Sequence, residues 1–381
     1  MRWFAFGYGG FGQLGAGEEP ALTLPKPVQV IGATIDSKEI VKAVPSWSYT
    51  ALVTDEGSLQ LSGCIRASPH QFVSFPGLDC HDVLPSEKYL LVLMKDRAEC
   101  WDVSHLDCEG TLPEPMWKMA LSDVSSTAFP LVDKGHVLPQ PPFFRELTPT
   151  LQAKKMALGN EHAVLMTSDG KVLTWGAGRH GQLGHGDVED VSEPRIVEAL
   201  HGVTMSEVAA GGWHTASISE SGDLYCWGWN ESGQLGLPSK ALQQERKLDN
   251  AALHVPHLYT CTVDSTDLCS SGVTSNEGPS GCQVEEDSDY IAIQSFPALI
   301  DLPQETEAAK IGCGSRHTAA LNRCGELYTW GWGKYGQLGH GDTKTLDQPK
   351  RVEFFYQNKF SVKDVTCRHW NTYVMCALEA K

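Results

Sequence analysis

Residues 331–342 read GWGKYGQLGHGD, and their first six positions fit the pattern G-x-G-x-x-G of nucleotide-binding loops. Such a loop follows a strand and opens a helix, whose N-terminal amides hold the phosphate. Residues 326–330 (ELYTW) have the composition of that strand. The glycines and the aspartate after Leu338 favour turns, and each glycine costs a helix about 1 kcal/mol. The helix is therefore missing, and the stretch predicts a turn between strands.

The same phrase occurs at four places in the chain. The other copies are GAGRHGQLGHGD at 176–187, GYGGFGQLG at 7–15 and the weaker GWNESGQLG at 228–236. A single-site enzyme has no use for four phosphate loops, whereas a repeat architecture needs the same turn in every unit. We interpret the glycines as turn or close-contact positions and the leucine of each GQLG as a buried side chain. A nucleotide-binding enzyme becomes the weakest interpretation.

A second repeated phrase precedes three of the glycine phrases and predicts a β-hairpin. The copies are LGNEHAVLMTSDGKVLTWG at 158–176, AGGWHTASISESGDLYCWG at 210–228 and CGSRHTAALNRCGELYTWG at 313–331. Weaker copies, which lack the histidine and the Trp-Gly ending, begin at 45, 84 and 121. An incomplete copy begins at 367, and its missing strand is found at the other end of the chain, as WFAFG at 3–7.

These seven units predict an all-β fold, a seven-bladed β-propeller that forms a single domain over residues 1–381. Pairing of the N-terminal and C-terminal strands within one blade closes the ring and removes the open sheet edge. The blades between residues 45 and 150 are divergent copies. We expect a monomer, because the ring is closed within one chain.

Composition narrows the classes of partner. The formal charge of −17 makes direct binding to nucleic acid or to an anionic membrane surface unlikely, since both need neutralising Lys and Arg. The longest apolar run, YLLVLM at 89–94, is far shorter than the roughly 20 residues of a membrane-spanning helix. Residues 1–7 lack the features of a signal peptide, so we expect the twelve cysteines to be reduced.

An acidic insertion interrupts the repeats at 238–292. Residues 248–290 contain eight acidic side chains and no Lys or Arg, a composition typical of a disordered loop. His254, His257, Cys261 and Cys269 are possible zinc ligands, but their spacing fits no standard pattern, so we predict neither a metal site nor a cofactor. Ser288, which has acidic neighbours, is a candidate phosphorylation site.

Three histidines occupy equivalent positions in the hairpin phrase: His162, His214 and His317. Equivalent positions on different blades are spread around the ring, so we predict structural hydrogen bonds for them and no shared metal. The sequence has no G-x-S-x-G elbow and no H-E-x-x-H motif. We therefore predict no catalytic residues and a protein that is not an enzyme.

The paired phrases His-Thr-x-x-Leu and Gly-Gln-Leu-Gly-x-Gly-Asp resemble the repeat of the regulator of chromosome condensation family, most clearly in 158–236 and 313–352. That resemblance implies a seven-bladed propeller with a nuclear, chromatin-linked interaction role. One activity in the family is guanine nucleotide exchange on the small GTPase Ran. The founding member also holds chromatin through a basic tail and an arginine-bearing loop, for which this sequence has no counterpart.

Our leading functional hypothesis is a non-enzymatic adaptor that binds a protein partner such as a histone-modifying enzyme or a histone complex. The alternative is an exchange factor for a Ran-like GTPase. The expected location is the nucleus, which is compatible with a second pool in the cytoplasm.

Two groups of residues are candidates for partner binding. Inside the glycine phrase the frame repeats while a pair of positions changes from blade to blade, which is typical of a display surface, although tolerant turn residues are an equal alternative. The candidates there are Phe11, Arg179, His180, Glu231, Lys334 and Tyr335. A basic stretch within 343–368 could dock an acidic partner or the acidic run of the insertion, and it comprises Lys344, Lys350, Arg351, Lys359, Lys363 and Arg368.

Overall fold

The computed structural model describes residues 1–15, 19–28, 39–107, 110–121, 128–240, 242 and 290–378. Within these ranges the chain forms seven antiparallel sheets arranged as the blades of a propeller. The predicted all-β, seven-bladed fold is confirmed. The first strands of neighbouring four-stranded blades pack on one another around the axis.

The seam blade joins the two ends of the chain, as the split repeat predicts. Its strands are β1 (Arg2–Tyr8), β2 (Ala21–Pro27), β26 (Phe360–Arg368) and β27 (Asn371–Leu378), in the order β26-β27-β1-β2. β1 pairs with β27 from Arg2 opposite Cys376 to Gly7 opposite Asn371. Main-chain hydrogen bonds between the two termini therefore close the ring.

Blades 1 to 3 cover the divergent stretch. Blade 1 comprises β3 (Ile40–Pro45), β4 (Tyr49–Thr54), β5 (Leu59–Ile65) and β6 (Ser68–Phe75). Blade 2 comprises β7 (Cys80–Pro85), β8 (Tyr89–Met94), β9 (Arg97–Asp102) and β10 (Trp117–Ala120). Blade 3 has three strands in the part of the chain that the structure describes: β11 (Leu131–Val132), β12 (Gly135–Val137) and β13 (Phe144–Glu146).

Blades 4 to 6 carry the clear repeats. Blade 4 comprises β14 (Ala153–Leu158), β15 (His162–Thr167), β16 (Val172–Gly176) and β17 (Val191–Ile196). Blade 5 comprises β18 (Met205–Ala210), β19 (His214–Ser219), β20 (Leu224–Trp229) and β21 (Ile293–Ile300). Blade 6 comprises β22 (Ala308–Cys313), β23 (His317–Asn322), β24 (Leu327–Gly331) and β25 (Leu346–Arg351).

Short helical turns connect several blades. A five-residue helix, α1 (Glu353–Gln357), lies between β25 and β26, and 3-10 turns before other blades cover Pro149–Leu151, Glu198–Leu200 and Pro303–Glu305. A further 3-10 turn, Val103–His105, lies within blade 2. The acidic insertion predicted at 238–292 lies mostly outside the described residues, as do the zinc candidates and Ser288. The described cysteines are free thiols.

The core lies between neighbouring blades, where side chains of facing sheets interdigitate. Trp101, Trp227 and Trp330 are fully buried there, and each fills the space against an adjacent blade. Large aromatic side chains bury the most apolar area per residue, so they dominate this packing. No described helix is long and apolar enough to cross a membrane.

Candidate functional site

One end of the propeller carries two sets of loops from each four-stranded blade. Because successive strands run in opposite directions, the turn after the first strand and the connection after the third strand emerge on the same side. We call this side the loop face. Both the glycine phrases and the turns that precede the three equivalent histidines therefore lie on it.

A repeated hydrogen bond fixes the shape of each glycine phrase. The Gln side-chain oxygen of GQLG accepts from the backbone N–H two residues earlier: Phe11 to Gln13 at 2.9 Å, His180 to Gln182 at 2.8 Å, Ser232 to Gln234 at 3.0 Å and Tyr335 to Gln337 at 3.0 Å. The following leucines are buried, as predicted: Leu14, Leu183, Leu235 and Leu338. The same frame thus presents a different pair of residues in each blade.

The first group of ring contacts on the loop face, which we call the seam cluster, joins blade 6, the seam blade and blade 1. Its members are Tyr8, Phe11, Trp47, Trp332, Tyr335 and Trp370, all half-buried. Tyr335 lies 4.9 Å from Tyr8 and 4.8 Å from Trp332, measured between ring centroids. Trp370 lies 4.6 Å from Trp332 and 6.0 Å from Trp47. The Tyr8–Tyr335 pair is tilted and the other three pairs are edge-to-face. These contacts hold the rings in place while leaving part of each exposed.

The second group, which we call the lateral cluster, consists of His180, Trp213 and Trp229. Its ring centroids are 5.4 to 6.0 Å apart. The Arg316 guanidinium lies 4.4 Å from the centre of the Trp229 ring and 4.0 Å from the Glu231 carboxylate. The Arg316 carbonyl accepts from the Trp332 N–H at 2.8 Å, so this arginine connects the lateral cluster to the seam cluster.

Charged residues border the lateral cluster. The Glu161 carboxylate accepts hydrogen bonds from Arg179 and, at 3.2 Å, from the indole N–H of Trp213. Partial burial works to raise the pKa of Glu161, but these two donors outweigh it and the pKa is lowered. Glu161 is therefore a fixed negative charge that orients both Trp213 and Arg179 at neutral pH.

The structure thus places all six candidates from the glycine phrases on the loop face. Phe11 and Tyr335 belong to the seam cluster, His180 to the lateral cluster, and Arg179 and Glu231 form ion pairs beside it. Lys334 is exposed next to Tyr335. Their role in binding stays a prediction.

Sequence reasoning missed the tryptophans of the turns after the first strands, Trp47, Trp213 and Trp370. A signal for them exists in the repeats. The positions between the end of each first strand and the start of the second vary from blade to blade, as in GGWHT, GSRHT and RHWNT. The same comparison that selected the glycine-phrase residues would have selected these turns.

The six basic candidates do not form one patch, so their grouping is wrong. Lys359 precedes the first residue of β26 and Arg368 is its last residue. A nine-residue strand is roughly 28 Å long, which puts these two side chains at opposite ends of the blade. Lys344 lies in the connection after β24 on the loop face, whereas Lys350, on β25, and Lys363, on β26, lie along strands. These residues are close in sequence but do not share one surface, because the chain runs from one end of the blade to the other.

Arg351, one of the six basic candidates, already interacts with neighbouring side chains of the same chain. Its guanidinium bonds to Glu326 at 2.7 Å and to Glu353 at 2.9 Å, and lies 4.2 Å from the centre of the Tyr356 ring. This arginine therefore stabilises the outer edge of blade 6.

The three equivalent histidines connect neighbouring blades. The Nε2 atoms of His162, His214 and His317 lie 2.9 Å from the hydroxyls of Thr215, Thr318 and Thr372 in the next blade. Each threonine in turn donates to the carbonyl of a GQLG glutamine, at 2.7 to 2.8 Å. A hydroxyl has one proton, and each threonine donates it to the glutamine carbonyl. The hydroxyl therefore accepts from the histidine, so Nε2 carries the ring proton. The predicted structural role of these histidines is confirmed.

Burial keeps these histidines uncharged. It lowers the pKa of His162 to about 4 and those of His214 and His317 to about 3. Within the described ranges, no group of three or more His, Cys, Asp or Glu side chains is placed to hold a metal ion.

A cavity of about 650 Å³ opens at the centre of the loop face. Its lining comes from the turns of most blades and includes Trp47, Lys88, Gln140, Trp213, Arg316 and Trp370. We call this cavity the channel mouth. It places the two aromatic clusters on the rim of one central depression.

Known proteins are similar to this chain both in the individual repeats and over its full length. Models of the regulator of chromosome condensation (RCC1) repeat match residues 169–218, 221–260 and 324–375 in one version, and 153–182, 206–234 and 308–337 in another. The chain is 42% identical to RCC1 domain-containing protein 1 of Homo sapiens, over 100% of this chain and 98% of that protein. This chain belongs to the RCC1 repeat family.

Other relatives match over different extents. RCC1 domain-containing protein 1 of Mus musculus is 41% identical over 98% of this chain and 96% of its own length. The ultraviolet-B receptor UVR8 of Arabidopsis thaliana is 34% identical over 57% of this chain and 49% of the receptor. Both full-length relatives are named for the RCC1 domain.

Solved structures share the fold. The crystal structure of Prp20p from Saccharomyces cerevisiae is 16% identical and covers 100% of this chain and 92% of its own, with a TM-score of 0.68. The structure of Kap60 bound to yeast RCC1 (Prp20) aligns with a TM-score of 0.70 at 16% identity, over 100% of this chain and 89% of that one. The family and the fold together indicate a protein-interaction propeller.

Proposed function

We propose that this RCC1-repeat propeller is a non-enzymatic adaptor that binds a protein partner through its loop face. The observation that carries the proposal is the grouping of the seam and lateral clusters on one face around the channel mouth. Trp, Tyr and Arg are the residue types most enriched among the energetically dominant contacts of protein interfaces. Rings already held by their neighbours lose little conformational entropy on binding.

We further propose that the partner is nuclear and chromatin-linked, such as a histone-modifying enzyme or a histone complex. Two findings support this. The family is named for chromosome condensation, and Prp20p, which has the same fold, has been studied for its binding to histones. The net charge of −17 favours a basic protein surface over DNA as the partner.

The test is capture of partners from nuclear extract by the purified full-length protein, with quantitative mass spectrometry. Trp213→Ala and Tyr335→Ala each remove an aromatic ring from one cluster. Tyr356→Ala is the matched control, because Tyr356 is exposed on α1 at the opposite face. We expect the same partner to be reduced about 30-fold by the first two variants and unchanged by the control. Equal capture by all three variants would contradict a role for the loop face.

The second candidate function is nucleotide exchange on a Ran-like GTPase. It is favoured by the shared fold with Prp20p, which has been studied for its binding to Gsp1p. The test is release of fluorescent GDP from purified Ran at substoichiometric amounts of this protein. Faster GDP release would support nucleotide exchange as the function. An unchanged rate of release would favour the adaptor function.

A further inference from the structure

One position on the rim of the ring differs in chemistry from its counterparts. In five blades the first residue after the inner strand donates its N–H to the carbonyl three residues later. These residues are Ser46, Ser86, Gly159, Gly211 and Gly314. In the seam blade the corresponding residue is Arg368, which pairs with Asn371 across the same turn. A small residue is thus replaced by an arginine in one blade.

A second substitution in the seam blade explains how the arginine fits. A side chain added at Gly159, Gly211 or Gly314 would collide with the imidazole ring of the histidine three residues later. In the seam blade that histidine position is occupied by Asn371, which has no ring. The exchange of histidine for asparagine therefore makes room for the Arg368 side chain.

Arg368 lies in the lining of the channel mouth, together with Trp47, Ser315 and Trp370. Among the residues that the structure describes, none hydrogen-bonds to its guanidinium or forms an ion pair with it. Three other cations of this face are paired. Arg179 bonds to Glu161, Lys88 lies 3.8 Å from Asp102, and Arg316 contacts both Glu231 and Trp229.

The groups around Arg368 supply no compensating negative charge. Burial and, to a smaller extent, the Arg368 charge lower the pKa of His369 to about 4, so this imidazole is neutral. Burial raises the pKa of Tyr49, which stays a neutral phenol. The same turn contains a second donor without an acceptor among the described residues, the buried indole N–H of Trp370. Unpaired donors of this kind favour binding of an anionic acceptor.

We propose that the channel mouth binds a carboxylate, with the Arg368 guanidinium as its ligand. The carboxylate would come from an Asp or Glu side chain of the protein that docks on the loop face, and this source rests on the proposed function. A single cation matches a single negative charge, and Glu87 on the rim of the same cavity disfavours the higher charge of a phosphate. Contact with the surrounding indoles would exclude water and strengthen the pair.

The test is a titration of the full-length protein with a single free residue that carries the carboxylate. The probe is N-acetylglutamate methylamide, its isosteric control is the glutamine analogue, and inorganic phosphate is the third ligand. The readouts are intrinsic tryptophan fluorescence and the indole N–H resonances, at constant ionic strength. Trp47, Trp213 and Trp370 line the cavity, so they report on its occupancy.

We expect the glutamate probe to bind with a midpoint on the order of millimolar. Arg368→Gln should weaken it about tenfold or more, and Arg368→Lys by less, because lysine keeps the charge and loses the fork of donors. Arg323→Gln, in the turn between β23 and β24 at the opposite face, should change it less than about twofold. Arg368→Gly restores the residue of three other blades and repeats the test if the glutamine variant is poorly folded.

Three results would overturn the site: equal binding to wild type and Arg368→Gln, equal binding of the two amino-acid probes, or tighter binding of phosphate. Partner capture distinguishes this inference from the proposed function. If Arg368→Gln captures the partner as well as wild type while Trp213→Ala does not, the loop face stands and the partner's carboxylate is ruled out as the ligand.

Discussion

Blades 4 to 6 and blades 1 and 2 build the same four-stranded unit with different contacts between neighbours. In blades 4 to 6 each buried histidine reaches a threonine of the next blade, and that threonine reaches a glutamine carbonyl. In blade 1, Tyr49 occupies the histidine position, and its hydroxyl donates to the Tyr89 carbonyl of blade 2 at 3.2 Å. Ser46 donates to the Ser86 carbonyl at 2.8 Å. The packing of neighbouring sheets is therefore compatible with different polar contacts between the blades.

The loops differ more than the sheets do. The glycine phrases of the seam blade and of blades 4 to 6 form long connections framed by glutamine. In blade 1, β5 and β6 are joined by Arg66 and Ala67 alone, both with positive φ, as in a tight hairpin turn. The aromatic clusters consequently draw most of their rings from the seam blade and blades 4 to 6. The aromatic rings of the loop face are thus concentrated on one side of an otherwise regular ring.

The largest expected effect tests whether packing is common to both regions. Trp330→Ala in blade 6 and Trp101→Ala in blade 2 each remove a fully buried indole, and each should cost about 3–5 kcal/mol in urea unfolding. The Trp330 indole also donates to the Gln234 carbonyl of blade 5 at 3.0 Å, whereas the Trp101 indole bonds within its own strand, to Glu99. Only Trp330→Ala should also increase hydrogen exchange around Gln234. A cost below about 1 kcal/mol for Trp101→Ala would contradict shared packing.

The second prediction concerns pH. The pKa values of His214 and His317 are lowered to about 3 by burial, while an unfolded histidine titrates near 6.5. Between these values the unfolded chain binds more protons, so stability falls as the pH drops from about 6.5 towards 3. The slope is up to about 1.4 kcal/mol per pH unit for each histidine.

His317→Asn introduces the residue found at this position in the seam blade, and it should reduce the slope of stability against pH. This variant therefore tests whether blades 4 to 6 respond to pH differently from blades 1 and 2. Tyr49→Phe at the equivalent position of blade 1 should leave the slope unchanged, because its hydroxyl does not titrate in this range. The measurement is the free energy of unfolding in urea at pH 4 to 7. An unchanged slope in His317→Asn would show that other groups cause the acid sensitivity.

The third prediction measures the polar contact of the divergent region directly. Tyr49→Phe removes the hydroxyl that donates to Tyr89 and keeps the buried ring. The expected loss is about 1 kcal/mol, since one neutral hydrogen bond contributes this much. The Tyr89 carbonyl keeps its hydrogen bonds from the backbone N–H and the hydroxyl of Ser86. Urea unfolding at pH 7 provides the measurement, with Tyr356→Phe as the exposed control. A loss above about 3 kcal/mol would mean that blade 1 depends on polar contacts more than on packing.

The smallest effect on stability is expected for exposed charged residues of the loop face. Reversing the charges of Arg179 and Lys334 together replaces exposed side chains, and exposed ion pairs contribute about 0–1 kcal/mol. The melting temperature should shift by only a few degrees, while partner capture should weaken. A larger shift would make these residues part of the scaffold.

Much of this arrangement was predictable from the repeats. The hairpin phrases predicted the paired strands of blades 4 to 6, and the split repeat predicted the pairing of β1 with β27. The comparison of glycine phrases selected six residues that share the loop face. The failure was the basic stretch at 343–368, which a strand running from one end of the blade to the other divides between two surfaces.

The amino-acid sequence by itself determined the number of blades and the closure of the ring, because strand alternation, turns and repeat spacing are local properties of the chain. Only the tertiary structure decided which side chains meet. Trp47, Trp332 and Trp370 come together across three blades, and Arg368 joins the lining of the channel mouth. Such contacts join residues far apart in sequence, so they depend on the packing of whole blades, which no local pattern encodes.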